Sequence, residues 1–292
     1  MFAHNRSIGE RSFDWLNALL MIVLCVITLY PFYNIVITSF NDPTDAARGG
    51  ITLWPRQFSI DNYKMVFQDE GIIRAFIVTI ARTVIGTATA VLFTAAFAFG
   101  VSKNELMGRK AFLLMAIFTM YFSGGIIPYY LLIAKYLHLK GSFLAYIIPN
   151  LFSVFNAIIM LTFFKGLPKE IEESAKIDGA NELRIFWQLV LPVSKPVLAT
   201  VALYNAVFHW NSWYDAMLFG SEKLVTLQQI LMQIISSNSN VSLAASNLGL
   251  GSVTAASLKL ATMVITTVPI VLTYPFVQKY FVQGVMIGSV KG

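Results

Sequence analysis

The amino-acid sequence predicts an all-α protein that crosses a membrane several times, and three observations predict it. Of its 292 residues, 57% are apolar and only 12% are charged, about half the charged share of an ordinary soluble domain. The mean hydropathy is +0.67. Six apolar runs, at about 15–37, 73–101, 111–134, 143–164, 196–219 and 259–282, are each long enough to cross a hydrocarbon layer of roughly 30 Å. Together these exclude a soluble enzyme, a disordered chain and a coiled coil. The net charge of +6, with 21 basic against 15 acidic residues, suggests nucleic acid only superficially, because basic residues between membrane spans record orientation.

The first run follows Arg6 and Arg11 as a signal peptide would. It is too long for an h-region and has no small-x-small cleavage site, so it reads as a retained anchor. The loop over 38–72 carries Pro43, Gly49, Gly50 and Pro55, which predicts an irregular segment with a short helix at about 61–67. The second run contains Arg82, a charge that either snorkels, pairs within the assembly or, as the minority reading, faces a pathway. Gly124, Gly125 and Pro128 interrupt the third run, Pro149 the fourth and Pro269 the sixth. Such breaks line cavities in transporters as readily as they make packing kinks.

The fifth run ends in a dense mixture of rings and hydrogen-bonding groups from Tyr204 to Asp215. Sugars present apolar C–H faces ringed by hydroxyls, so a sugar pathway needs flat aromatic surfaces interleaved with amides. Tyr204, Asn205, Trp210 and Asn211, with Asn156 in the fourth run, are the candidate pathway residues. Trp213 and Tyr214 fit an interfacial aromatic belt equally well. The loop over 220–258 is expected to hold an amphipathic helix at 224–235 followed by a polar tip of Ser and Asn. An even number of spans puts both termini on one side. Loops on that side hold 12 Lys plus Arg against 6 in the alternate loops, so both termini are expected in the cytoplasm. Residues 1–292 read as a single permease domain. One cysteine, Cys25, and the scattered His4, His138 and His209 offer neither an internal disulfide nor a metal-ligand set.

The loop over 167–195 is cytoplasmic in this topology. Pro168 suits the start of a helix, and Glu170, Glu172 and Glu173 favour the positive end of its dipole. Gly179 stands where that helix should stop, Asn181 can cap a second one, and Pro192 discourages its continuation. Leu183, Phe186, Trp187, Val190 and Leu191 fall on one face of the second helix. That face either lies against the membrane interface or the protein's own spans, or fits a groove on a cytoplasmic partner.

The run Glu173-Ser174-Ala175-Lys176-Ile177-Asp178-Gly179-Ala180, followed by Phe186 and Leu191-Pro192, resembles the EAA signature of ABC importer permeases, E-A-A-x-x-D-G-A with a downstream I-x-L-P. Ser174 and Val190 are its small departures. Tyr30-Pro31, the Pro128-Tyr129-Tyr130 run, Trp210-Asn211 and the ending from Gln278 to Gly292 extend the resemblance over almost the whole chain to the MalG-like permeases of carbohydrate importers. Within that family the chain resembles the branch of LplC-like, YtcP-like and alginate permeases, which handle complex or acidic oligosaccharides.

The resemblance implies a type I ABC importer fold in the cytoplasmic membrane of a bacterium, moving an oligosaccharide by alternating access. It assigns coupling to a partner ATPase to Glu173, Ala175, Asp178, Gly179, Ala180, Phe186 and Pro192. It also implies a second permease subunit in a heterodimer, two ATPase subunits that bind ATP and Mg, and an extracytoplasmic solute-binding protein that meets the 220–258 loop. No cofactor is expected on this chain, since no phosphate-cradling G-x-x-x-x-G-K-[ST] loop is present. An importer for another small solute is the alternative. An ion-coupled secondary transporter fits less well, because two similar halves and ionisable groups at the bilayer centre are missing.

Overall fold

The computed structural model describes residues 8–46, 48–236 and 259–273. They form helices joined by turns, with one isolated antiparallel bridge, Asn41 to Phe58, among the described residues. In chain order the helices are α1 (Ile8–Ser39), α2 (Pro43–Ala46), α3 (Asp61–Gln68), α4 (Glu70–Ser102), α5 (Arg109–Tyr121), α6 (Ile126–Leu131), α7 (Leu144–Ile147), α8 (Val154–Lys165), α9 (Lys169–Ile177), α10 (Glu182–Ile185), α11 (Leu191–Val193), α12 (Lys195–Asn211), α13 (Tyr214–Phe219) and α14 (Leu227–Ser236), followed by α15 (Lys259–Thr273). Wider π-helical turns follow α6 and α10. The polar tip at 237–257 and the ending at 278–292 lie outside the described residues. The chain divides into two compact units, residues 1–69 with 234–265 and residues 70–233 with 266–292.

In the first unit α1 is apolar from Ser12 to Ser39, about 42 Å of helix at 1.5 Å per residue, enough to span hydrocarbon and reach into the headgroups. The following segment folds back on its end. The Tyr33 hydroxyl donates to the Leu53 carbonyl at 2.6 Å and the Asn34 amide to the Ile51 carbonyl at 2.9 Å. The buried Asn62 amide donates to the carbonyls of Ser39 and Asn41, and Asn41 donates to the Asp45 carboxylate. That hydrogen bond, more than the neighbouring Arg56 guanidinium, holds the Asp45 carboxyl below its ordinary range against the opposing effect of burial. The segment expected to be irregular is therefore a hydrogen-bonded subdomain, and its short helix appears as α3.

In the second unit α4 packs along α12 and α8. The reason is a ladder of small residues. Gly86, Ala90, Thr94 and Ala98 repeat every fourth position on α4, and all are buried, as are Val197, Val201, Asn205 and His209 at the same spacing on α12. Small residues let two helices approach closely where lipid offers no hydrophobic drive. At Gly86 the approach is so close that a Cβ would run into the His209 ring. Ala98, Phe99, Met160, Ile185, Phe186 and Val201 belong to the main core of this unit, so the loop between the fourth and fifth runs is stitched into the membrane helices.

Among the described residues two helices, Ser12–Ser39 and Glu70–Ser102, are long and apolar enough to cross a membrane unbroken. Three further candidates are bent pairs. The third apolar run turns by 112° between α5 and α6, the fourth by 52° between Leu144–Asn150 and α8, and Glu182–Val193 meets α12 at 83°. Each break falls where the backbone is glycine-rich or proline-restricted: Gly124 and Gly125, Pro149, and Pro192 with Pro196. The fifth run is likewise divided, with α12 ending at Asn211 and α13 beginning at Tyr214.

Candidate coupling and translocation site

The helix-turn-helix expected over 167–192 is present. Pro168 precedes α9 as its N-cap, and Glu170 and Glu172 occupy the first turn. The turn at the other end is closed by backbone hydrogen bonds from Asp178 to Ser174, Gly179 to Lys176 and Ala180 to Ala175. Gly179 has φ +78°, a left-handed conformation that costs an L-residue about 1–2 kcal/mol. The Asn181 side chain then accepts the Arg184 N–H at 2.8 Å and starts α10.

The apolar stripe on the second helix needs correction. Ile185, Phe186 and Val190 are buried, but Leu183 is 70% and Trp187 55% exposed. The second helix widens into a π-helical turn at Phe186–Val190, and the face counted at 3.6 residues per turn is split, with Ile185 joining its buried edge. Phe186 packs at a tilt against Phe99 of α4 with centroids 5.2 Å apart, and Ala175 and Ala180 pack against the same core. One edge of the stripe is thus covered by the protein's own spans, while Leu183 and Trp187 at the other edge are open, as is Ile177 of α9 at 86% exposure. Of the remaining signature residues, Glu173, Asp178, Gly179 and Pro192 are exposed.

A lysine that sequence reasoning placed only in the orientation count secures this loop. Lys103, just after α4, pairs with Glu172 of α9 and with Glu182 of α10 at 3.5 Å, and lies over the Phe99 ring at 4.0 Å. Lys176 pairs with Glu182 at 2.8 Å. The hydrogen bond from Lys176 keeps the Glu182 carboxyl below its ordinary range, with burial opposing and Lys103 adding to it. The same bond raises Lys176. A basic residue at one helix end and two acidic residues on two later helices are visible in the sequence, but nothing there pairs them.

Within the spans, Arg82 is fully buried. Its guanidinium forks onto Asp215 at 2.5 and 3.1 Å, reaches the Ser212 carbonyl at 3.2 Å and lies 4.6 Å from the Tyr146 ring centroid. Ser212 and the Ala216 N–H also donate to Asp215. The charge is paired inside the chain and ties together α4, α7 and α13. The Tyr146 hydroxyl goes on to the Leu224 carbonyl, and Thr79 of α4 accepts the Leu227 N–H at the start of α14.

The candidate pathway residues divide. Asn156 and Asn205 are buried, and Asn205 donates to the Val201 carbonyl. Trp210 is buried too, its indole donating to the Thr266 carbonyl and its ring edge-on to Phe76. Tyr204 is exposed beside Phe155, and Asn211 is exposed near Gln228.

Residues 71–287 match the family described as the binding-protein-dependent transport system inner membrane component. The chain belongs to that family. This inner membrane component is 38% identical over 285 residues to the polygalacturonan/rhamnogalacturonan transport system permease protein YtcP of Bacillus subtilis, covering 97% of this chain and 99% of that protein. It is 40% identical over 290 residues to the protein LplC of the same organism, covering 99% and 98%. Among solved structures, a chain of a bacterial ABC transporter involved in the import of the acidic polysaccharide alginate superposes with TM-score 0.87 at 31% identity, over 96% of this chain and all of that one. The inner membrane component is a helical permease subunit of an ABC importer and not itself an enzyme. The expected family and branch agree with these matches.

Proposed function

We propose that this permease moves an oligosaccharide, of the acidic kind named for its relatives, into the cell as half of a heterodimeric pore. In this reading the single permease domain crosses the cytoplasmic membrane six times with both termini inside. The loop over 167–195 carries the closing motion of two partner ATPases, and an extracytoplasmic solute-binding protein delivers the sugar. The observation that carries the proposal is the tight turn at Gly179 on a loop whose one face is fastened to the spans by Phe186 and Lys103 and whose other face exposes Ile177, Leu183 and Trp187. A rigid lever with an open apolar tip fits helix-in-groove docking. Glu173 and Asp178 are exposed beside that tip and are assigned to the same contact.

The test is uptake of radiolabelled trigalacturonate by the complex in liposomes, wild type against Gly179→Leu. A leucine would strain the turn, so uptake should fall by about tenfold or more while the subunit still inserts. Normal uptake by the variant would remove the coupling role of this turn.

A further inference from the structure

The bend between α5 and α6 leaves a stretch of non-helical backbone inside an apolar run. Residues 122–125 link two helices at 112°, and Gly125 takes φ +86°. Among the described residues its N–H is met only by the Ser123 hydroxyl, at 3.3 Å. The N–H groups of Ser123 and Gly124 have no backbone partner among the described residues. Hydrocarbon does not tolerate such groups, so irregular backbone at membrane depth faces either protein or a water-filled cavity. Here it borders an open cavity of about 500 Å³ lined by Ser123, Gly124, Gly125, Pro128, Tyr129 and Tyr214 among others.

Two tyrosines from different elements meet at this cavity. Tyr129 of α6 is 38% and Tyr214 of α13 43% exposed. Each ring is braced edge-on by another, Tyr129 by Phe219 and Tyr214 by Trp213, both with centroids 5.6 Å apart. Neither hydroxyl has a hydrogen bond among the described residues. No charged side chain among the described residues lines the cavity, and Asp215, next to Tyr214, is already neutralised by Arg82. The unpaired backbone groups disfavour an acyl chain, and the lack of carboxylates disfavours a cation. Flat aromatic faces, free hydroxyls and free amides suit the C–H face and hydroxyl rim of a pyranose.

We propose that the break in the third membrane segment forms a saccharide-stacking subsite in which Tyr129 and Tyr214 hold one sugar ring by its apolar face, a claim that rests on the oligosaccharide reading above. The subsite is indifferent to the sugar's charge, so selection for acid lies elsewhere along the path.

The experiment uses the full complex in liposomes with trigalacturonate and, as its neutral counterpart, maltotriose. Tyr129→Ala and Tyr214→Ala should each raise the KM for uptake about tenfold with a smaller change in Vmax, and Tyr129→Trp and Tyr214→Trp should restore it. In a Cys25→Ser background, Gly124→Cys should react with a water-soluble methanethiosulfonate, more slowly when the transported saccharide is present. A wild-type KM in both alanine variants would overturn the subsite. A thiol at position 124 that stays unreactive in the assembled complex would also overturn it, by placing the break against the partner permease. Failure of the wild-type complex to take up either saccharide would instead strike the oligosaccharide reading, while the thiol reaction still decides whether the break faces water.

Discussion

Arg82 shows how one side chain acquires a role that its position in the sequence leaves open. A guanidinium less than three turns into a span can reach for the headgroups, but here the fork onto Asp215 and the ring of Tyr146 keep it fully buried. Removing one member of a buried ion pair strands the other charge, at a cost of about 3–5 kcal/mol, whereas replacing both with apolar groups of similar size is close to neutral. Arg82→Met should therefore lower the thermal stability of the purified complex by that order, and Arg82→Met with Asp215→Leu should recover most of it. Equal loss in the single and double variants would show that the pair does not act as a unit. His209 makes the complementary point. Its ring fits only because position 86 is glycine, a dependence across more than a hundred residues that local pattern cannot reveal.

At the scale of elements, the loop between α8 and α12 combines a legible frame with an illegible face. Pro168, Gly179 and Asn181 announce their turns because each acts through local backbone geometry or its own side-chain oxygen. The π-turn at Phe186–Val190 has no such local marker, and the residues buried on the second helix are those that meet α4 and the rest of the core. The clamp made by Lys103 is a tertiary product as well, joining the end of α4 to α9 and α10. If that clamp transmits motion, Lys103→Gln should leave the ATPase bound but reduce uptake severalfold, and should increase hydrogen exchange in residues 169–185. Unchanged exchange would make the ion pairs incidental, as many partly exposed ones are.

For the molecule as a whole, the orientation proposed from basic residues can be tested with thiols at exposed positions. Asp45 is buried in its hydrogen-bond network, whereas Trp54 is 78% exposed and Glu105 is exposed in the loop after α4. In a Cys25→Ser background, Trp54→Cys should react with an impermeant reagent added to intact cells, and Glu105→Cys should react only after the membrane is opened. The reverse pattern would invert the topology and put the 167–195 loop on the wrong side for an ATPase.

The sequence by itself determined the class of this protein, its family and the turns of its 167–195 loop, because hydropathy and the preferences of Gly, Pro and Asn act over a few residues. Only the tertiary structure decided that Arg82 is paired, that Asn156, Asn205 and Trp210 are packed within the chain, and that Tyr129 and Tyr214 share a cavity. Polar groups at membrane depth must find partners, and which partner each one finds depends on how distant helices bend and meet.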